Sequence, residues 1–97
     1  MSHAYDFLLY GANGYTGQLI ARMSAEYGLK PLLAGRNEAA LQQLSASLGL
    51  DYRAFSLEDT QALDNALREV PIVLHAAGPF RHTAETMIRA CIRMKVH

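Results

Sequence analysis

Short apolar runs alternate along this chain with longer segments whose apolar residues recur at helical spacing. The apolar runs predict strands at about residues 5–10, 30–34, 51–55 and 72–76, with a further strand starting at Lys95. The periodic segments predict helices at about residues 15–27, between Asn37 and Gly49, after Ser56, and at about residues 83–94. Strands that alternate with helices pair in parallel through right-handed crossovers. The sequence therefore predicts an α/β fold, a Rossmann-like doubly wound parallel sheet of strand order 3-2-1-4-(5), truncated at strand 5.

Helical spacing also predicts which residues face the core. The predicted faces are Leu19, Ile20, Met23 and Tyr27 in the first helix, Leu41, Leu44 and Leu48 in the second, and Leu63, Leu67 and Val70 in the third. Asn37 is expected to cap the second helix, which Gly49 closes. Ser56 is expected to cap the third helix, with Asp59 in a box-like arrangement.

Glycines at positions 11, 14 and 17 lie between the first strand and the first helix. Gly11 allows a tight reversal, Gly14 leaves room for a pyrophosphate beside the backbone, and Gly17 lets the helix pack closely on the strand. The unpartnered amides of the helix N-terminus face such a phosphate. A P-loop is excluded because no Gly-Lys-Ser/Thr follows. The alternatives are an ordinary turn and a dinucleotide site, and the strand–turn–helix context favours the site, formed by Gly11, Ala12, Asn13, Gly14, Tyr15, Thr16 and Gly17.

The end of the second strand predicts which dinucleotide binds. NAD sites usually place Asp or Glu there to bind the ribose hydroxyls, whereas a 2′-phosphate favours Arg. In this chain Arg36 lies nineteen residues after Gly17, Asn37 follows it, and no acid occurs before Glu38. A guanidinium can bind a phosphate with two parallel hydrogen bonds and stack on adenine. Arg36 and Asn37 therefore predict NADP rather than NAD, the alternative being a surface arginine after a strand.

Two further loops are predicted to reach the same sheet edge. After the third strand, Leu57 and Glu58 either flank the adenine or belong to the cap of the next helix. After the fourth strand, the small residues Ala77 and Gly78 allow close approach of the nicotinamide half, and Pro79 fixes the turn. We therefore add Leu57, Ala77, Gly78 and Pro79 to the predicted cofactor contacts.

Composition narrows the class of protein. The chain has 97 residues, enough for one domain, and its nine basic and nine acidic residues give no broad basic surface for nucleic acid or an anionic membrane. No apolar run is long enough for a membrane span, and a single cysteine, Cys91, excludes an internal disulfide and favours a cytoplasmic location. No residues have metal-ligand spacing, and His75 is expected to be a core histidine rather than a catalytic one.

The last residues, 95–97, begin another apolar segment. We therefore expect residues 1–97 to be the N-terminal NAD(P)-binding domain of a longer protein whose substrate domain is absent. Apolar surface left where strand 5 is missing would favour a homodimer.

Three motifs in order, at residues 10–17, 33–37 and 75–80, resemble the NADP-binding domain of saccharopine dehydrogenase-like oxidoreductases, which include the trans-acting enoyl reductases. The resemblance implies that the three glycines of the turn cradle the pyrophosphate, that Arg36 binds the adenosine phosphate, and that Gly78 and Pro79 adjoin the nicotinamide. His75 departs from the asparagine frequent at this position. Members of the family are several times longer, so no catalytic or substrate-binding residue is carried over.

The main functional hypothesis is an NADP(H)-binding domain that positions the nicotinamide for hydride transfer, with a small-molecule substrate bound by the missing domain. The isolated domain is expected to be inactive. The alternatives are a non-catalytic NADP-sensing module like the NmrA regulators, a fragment of an extended short-chain dehydrogenase/reductase, and a domain whose site is vestigial. The sequence after His97 would distinguish them, because a large substrate domain favours the enzyme and a small extension favours the sensor.

Overall fold

A four-stranded parallel sheet is the centre of the fold. The structure is a computed structural model that describes residues 4–12 and 14–76. Its strands are β1 (Leu8–Tyr10), β2 (Leu32–Gly35), β3 (Tyr52–Ala54) and β4 (Val73–His75), and its helices are α1 (Tyr15–Glu26), α2 (Glu38–Leu48) and α3 (Thr60–Leu67). The order β3-β2-β1-β4, parallel throughout, confirms the predicted doubly wound sheet. The helix predicted at 83–94 and the strand predicted from Lys95 lie outside the described residues.

The sheet separates two hydrophobic cores, one on each face. The first core contains Leu9, Ala12, Ala21, Leu33, Leu41, Leu44 and Leu50, and so joins the sheet to α1 and α2. The second contains Tyr5, Leu8, Tyr10, Leu32, Ala34, Phe55, Leu57, Leu63, Ala66, Leu67 and Val70, and so joins the sheet to α3. Because β1 and β2 are buried on both faces, each is a continuous apolar run rather than an alternating one.

The predicted packing face of α1 was wrong. Leu19, Met23 and Tyr27 are 47%, 54% and 76% exposed, and Ile20 is only partly buried. The buried residues of this helix are small, namely Gly17, Ala21 and Ser24. Those three recur at helical spacing too, but an apolar-residue count overlooks glycine and serine.

Close approach between α1 and the turn after β1 explains this choice of small residues. A Cβ added at Gly17 would lie 2.1 Å from the carbonyl oxygen of Gly11 and 2.8 Å from Cα of Ala12. Such contacts leave no room for a side chain at this point, and the helix stays close to the sheet for the turns that follow. The expected role of Gly17 in helix–strand packing is therefore confirmed.

The strands are shorter than the apolar runs that predicted them. β1 begins only at Leu8, and before it Tyr5 N donates to Glu69 O at 3.3 Å and Asp6 N to Lys30 O at 2.9 Å, two residues that lie outside the strands. The second helix follows the prediction, since Asn37 Oδ1 accepts from Ala40 N at 3.1 Å and Gly49 closes the helix at φ 69°.

The predicted cap of α3 was wrong by three residues. Asp59 is the N-cap, and its Oδ1 accepts from Ala62 N at 3.1 Å. Ser56 Oγ instead accepts from Glu58 N at 3.2 Å, a local turn within the loop that leads to the helix. Each of the two side chains satisfies a donor close to it, and only Asp59 is placed to reach the first helical turn.

His75 ends β4 and is half-buried beside Tyr10, with their ring centroids 5.8 Å apart. Burial lowers the pKa of His75 from its ordinary value of 6.5, because desolvation disfavours the imidazolium. His75 is thus only partly buried, and its expected role as a core histidine stays a prediction.

Substitution of Gly17 tests whether helix–strand packing is what requires a glycine at this position. We expect Gly17→Ala to lower the free energy of unfolding by roughly 1–3 kcal/mol or more, because backbone must move to admit the Cβ. Gly14→Ala is the matched control, since its Cβ would make only an ordinary 3.4 Å contact with Gly11 O at φ −77°. Urea unfolding of both variants measures the difference, and equal losses would contradict the packing role of Gly17.

The lowered pKa of His75 predicts a pH dependence of stability. The unfolded chain takes up the proton more readily than the folded chain, so the contribution of His75 is complete above the unfolded pKa of about 6.5 and is lost as pH falls from that value through the lower folded pKa. We expect the Tm of the native chain to fall more steeply between about pH 7.5 and 5.5 than that of His75→Asn. Parallel Tm curves for the two proteins would contradict this account.

Candidate functional site

The glycine turn after β1 is bonded to the end of β2. The carbonyl oxygen of Ala34 accepts from Gly11 N at 2.8 Å and from Ala12 N at 3.1 Å. Gly14 N donates to Gly11 O at 3.0 Å and closes the turn. These bonds place the start of α1 beside the residues that precede Arg36.

The loops that follow the other strands reach the same sheet edge. Phe55 N donates to Gly35 O at 2.8 Å, which ties the β3–α3 loop to the end of β2. Ala76 N donates to Tyr10 O at 2.8 Å, which brings Ala76, the residue after β4, against the end of β1. The carboxyl ends of all four strands therefore meet at one edge, where doubly wound folds bind their ligands.

The fold requires a glycine at positions 11 and 17, for different physical reasons, but not at position 14. Gly11 has φ 89°, in the left-handed region that favours glycine. Gly17 is required by its contacts with backbone. Neither reason applies to Gly14, whose backbone is extended and whose added Cβ would meet no closer atom than Gly11 O at 3.4 Å. The fold alone would tolerate a side chain at Gly14.

The N-terminus of α1 differs from those of the other two helices. Side-chain oxygens cap α2 and α3, whereas Gly14 supplies no side-chain cap to α1. The first turn of α1 contains no acidic residue. Gly14, Tyr15 and Thr16 are exposed there. The Gly14 amide donates to Gly11 O, so the amides of Tyr15 and Thr16 and the positive dipole end of the helix are the groups that face solvent. This arrangement fits an anionic group such as a phosphate.

The remaining residues predicted for the turn have different positions. Ala12 and Gly17 are buried and support the turn from beneath. Asn13 lies outside the described residues. So do Ala77, Gly78 and Pro79, which were predicted for the nicotinamide side.

Arg36 is exposed directly after β2 and forms no salt bridge within residues 4–12 and 14–76. Glu38, the nearest following acid, accepts a hydrogen bond from the hydroxyl of Tyr52 at 3.4 Å, on β3. It also lies in the first turn of α2, where a negative charge is stabilised by the helix. The end of β2 therefore presents a cation whose charge is not neutralised by an ion pair with this acid.

The side chains of Asn37 and Leu57 are placed less favourably than that of Arg36 to contact a dinucleotide. The side-chain oxygen of Asn37 is used in the cap of α2. Leu57 is 7% exposed and packs in the second core, so its side chain is neither an open wall of the site nor the cap of α3. Glu58 is exposed in the same loop.

Tyr10 is a residue of this edge to which the sequence reasoning gave no role. Its hydroxyl donates to the carbonyl oxygen of Phe55 at 3.0 Å, across β2. Burial raises the pKa of Tyr10, while the Arg36 guanidinium and the backbone amide of Leu57 act in the opposite direction. The sequence feature that could have indicated this bond is a tyrosine at the end of a buried apolar run, because a buried hydroxyl needs a hydrogen-bond partner.

Two other classes of feature are not found in the part of the chain that the structure describes. No group of three His, Cys, Asp or Glu side chains there is placed to hold a metal ion. None of the helices described is long and apolar enough to cross a membrane.

Comparisons with known proteins agree with this arrangement. The chain is 29% identical over 101 residues to "Lipid droplet localized protein" of Caenorhabditis elegans and 28% identical over 107 residues to "Saccharopine dehydrogenase-like oxidoreductase" of Homo sapiens. Each comparison covers 91% of this chain but only 24% and 25% of those relatives, so the chain spans about a quarter of their length.

The fold of this chain is also similar to that of a solved structure. The apo saccharopine dehydrogenase (L-Glu forming) of Saccharomyces cerevisiae superposes with a TM-score of 0.83 at 23% identity, covering 96% of this chain and 20% of that one. The family described as saccharopine dehydrogenase NADP binding domain matches residues 7–97. The chain belongs to the saccharopine dehydrogenase NADP-binding domain family.

Proposed function

We propose that this domain holds NADP for an oxidoreductase whose substrate-binding part lies in the rest of a longer protein. Gly14 is the observation that carries the proposal. It is a glycine that neither backbone conformation nor packing requires, at the exposed and uncapped start of α1. Closeness of a pyrophosphate to the backbone gives the missing reason for a glycine at this position.

In this proposal the exposed start of α1 binds the pyrophosphate. The amides of Tyr15 and Thr16 donate to it, while the Gly14 amide is used within the turn, and Asn13 is expected to contact it too. Ala12 and Gly17 act from beneath by holding the helix against β1. Because no acid lies in the first helical turn, nothing there opposes the phosphate charge.

Arg36 binds the 2′-phosphate of the adenosine half. Its guanidinium follows β2 directly, and the carboxylate of Glu38 accepts from Tyr52 on β3. A site for NAD would need a carboxylate where Arg36 is found. Asn37 and the backbone of Leu57 border the same half, and Ala77, Gly78 and Pro79 adjoin the nicotinamide.

The role of these residues is to bind and orient. The cofactor, when bound, supplies or accepts a hydride at its nicotinamide ring. The share of the relatives that this chain covers supports a substrate domain elsewhere in the full-length protein, and family membership favours the oxidoreductase over a sensing module. The 97 residues alone would bind nucleotide without turning over a substrate.

Two wider features stay predictions. A homodimer is supported by the exposure of Ile72 and Leu74 on and beside β4, which are 50% and 41% exposed. The sequence predicts a cytoplasmic location, whereas the name of the C. elegans relative refers to lipid droplets.

Gly14→Ala tests the pyrophosphate site. We expect this variant to keep the Tm of the native chain within a few degrees and to lose affinity for both NADP and NAD by about tenfold or more, since charge-assisted hydrogen bonds to backbone amides are each worth about 1.5–3 kcal/mol. Calorimetric titration measures both affinities. Gly49→Ala, at the far end of α2, is the control: its backbone at φ 69° makes the substitution lower the Tm, but both affinities should stay unchanged. Unchanged affinity in Gly14→Ala would overturn the proposed site.

Arg36→Ala tests the choice of cofactor. We expect the native chain to prefer NADP over NAD, and the variant to lose about tenfold to a hundredfold in affinity for NADP while its affinity for NAD changes little. Arg22→Ala removes an equal charge from an exposed position of α1 and should leave both affinities unchanged. A native chain that binds the two nucleotides equally, or a variant that keeps the preference, would contradict the role of Arg36.

A further inference from the structure

Tyr10 joins the end of β1, where the glycine turn begins, to the loop after β3. It is the last residue of β1, it is 2% exposed, and its side chain packs in the core on the α3 side of the sheet. Its hydroxyl donates to Phe55 O at 3.0 Å, and the two rings lie 5.6 Å apart. One side chain thus reaches from the strand before the glycine turn to the loop after β3.

The same loop is attached to β2 by a second bond. Phe55 N donates to Gly35 O at 2.8 Å, and Gly35 precedes Arg36. Two further bonds of this loop are local: Glu58 N donates to Ser56 Oγ and Asp59 N donates to Ser56 O. Phe55 is therefore bonded to β2 through its N–H and to Tyr10 through its C=O.

Arg36 and Leu57 both influence the Tyr10 hydroxyl. The Arg36 guanidinium and the Leu57 amide both act to lower the pKa of Tyr10, against the larger effect of burial. The phenol that donates to Phe55 O holds the loop backbone at that residue. Because Phe55 N also bonds to Gly35 O, directly before Arg36, the Tyr10 hydroxyl helps to fix where the loop lies relative to Arg36.

We propose that Tyr10 is a positioning residue for the adenosine half of the dinucleotide, its buried hydroxyl setting the separation between Arg36 and the loop from Phe55 to Glu58. This inference rests on the proposed function. It assigns to Tyr10 no contact with the ligand, and the effect on binding passes through Arg36 and the loop.

Tyr10→Phe is the direct test, because it removes the oxygen and keeps the ring. We expect affinities for NADP and for adenosine 2′,5′-bisphosphate to fall together by about tenfold. Affinity for NAD should fall less, so the preference for NADP narrows. A hydroxyl that only satisfies the core would lower the Tm and leave that preference unchanged.

Tyr5→Phe is the matched control. Tyr5 belongs to the same core, is 8% exposed, and its hydroxyl donates to Asp51 Oδ2 at 2.6 Å. It precedes β1 and so lies toward the opposite edge of the sheet. We expect a comparable loss of Tm with no change in the ratio of the NADP and NAD affinities.

A measurement on the native chain tests the inference without requiring that a variant fold. Hydrogen exchange of the Leu57 amide should slow when adenosine 2′,5′-bisphosphate saturates the domain, because the ligand stabilises the loop that Tyr10 holds. Unchanged exchange, or a Tyr10→Phe variant that keeps the native preference, overturns the inference alone. A native chain that binds none of the three nucleotides overturns the proposed function and this inference together.

Discussion

The contact between Gly17 and the carbonyl of Gly11 is the constraint on which the rest of this edge depends. An added Cβ would come within 2.1 Å of that oxygen, so the helix can lie this close only because position 17 has no side chain. The close approach makes Ala21 and Ser24 the next packing residues and turns the larger apolar residues of α1 outward. It also places the N-terminus of α1 directly over the end of β1, beside the residues of β2 that precede Arg36. One packing contact thus decides both how the helix packs and where its positive end points.

Charge at this edge is organised locally in a protein with no net charge. The start of α1 has neither a capping side chain nor an acid, while α2 begins with Glu38 and is capped by Asn37. Glu38 in turn accepts from Tyr52 on β3, away from the glycine turn. No acid therefore lies in the first turn of α1 or among the described residues of the glycine turn, and Glu38, two residues after Arg36, is bonded to Tyr52. This local field, rather than the total charge, is what suits the edge to a dinucleotide.

The strand order, the parallel pairing and the position of the glycine turn could be predicted, because they follow from apolar periodicity and from conformations that only glycine adopts readily. The cap at Asn37 was equally local and was correct. The face of α1 could not be read in this way, since the pattern counts large apolar residues and the fold selects small ones where backbones meet. The cap of α3 depended on which of two nearby oxygens reached the helix, a matter of loop geometry. The bond between Tyr10 and Phe55 joins residues 45 positions apart, and no local pattern indicates such a partner.

The most direct test of the central claim is a residue-by-residue map of nucleotide contact. Amide chemical shifts of the native chain, recorded by two-dimensional NMR during titration with NADP, would supply it. The account predicts large shifts for Gly11, Gly14, Gly17 and Arg36, and none for Gly28 and Gly49, which close α1 and α2 at the opposite edge. Shifts confined to Gly28 and Gly49, or an absence of shifts in the turn at saturating NADP, would contradict the claim that this sheet edge is the cofactor site.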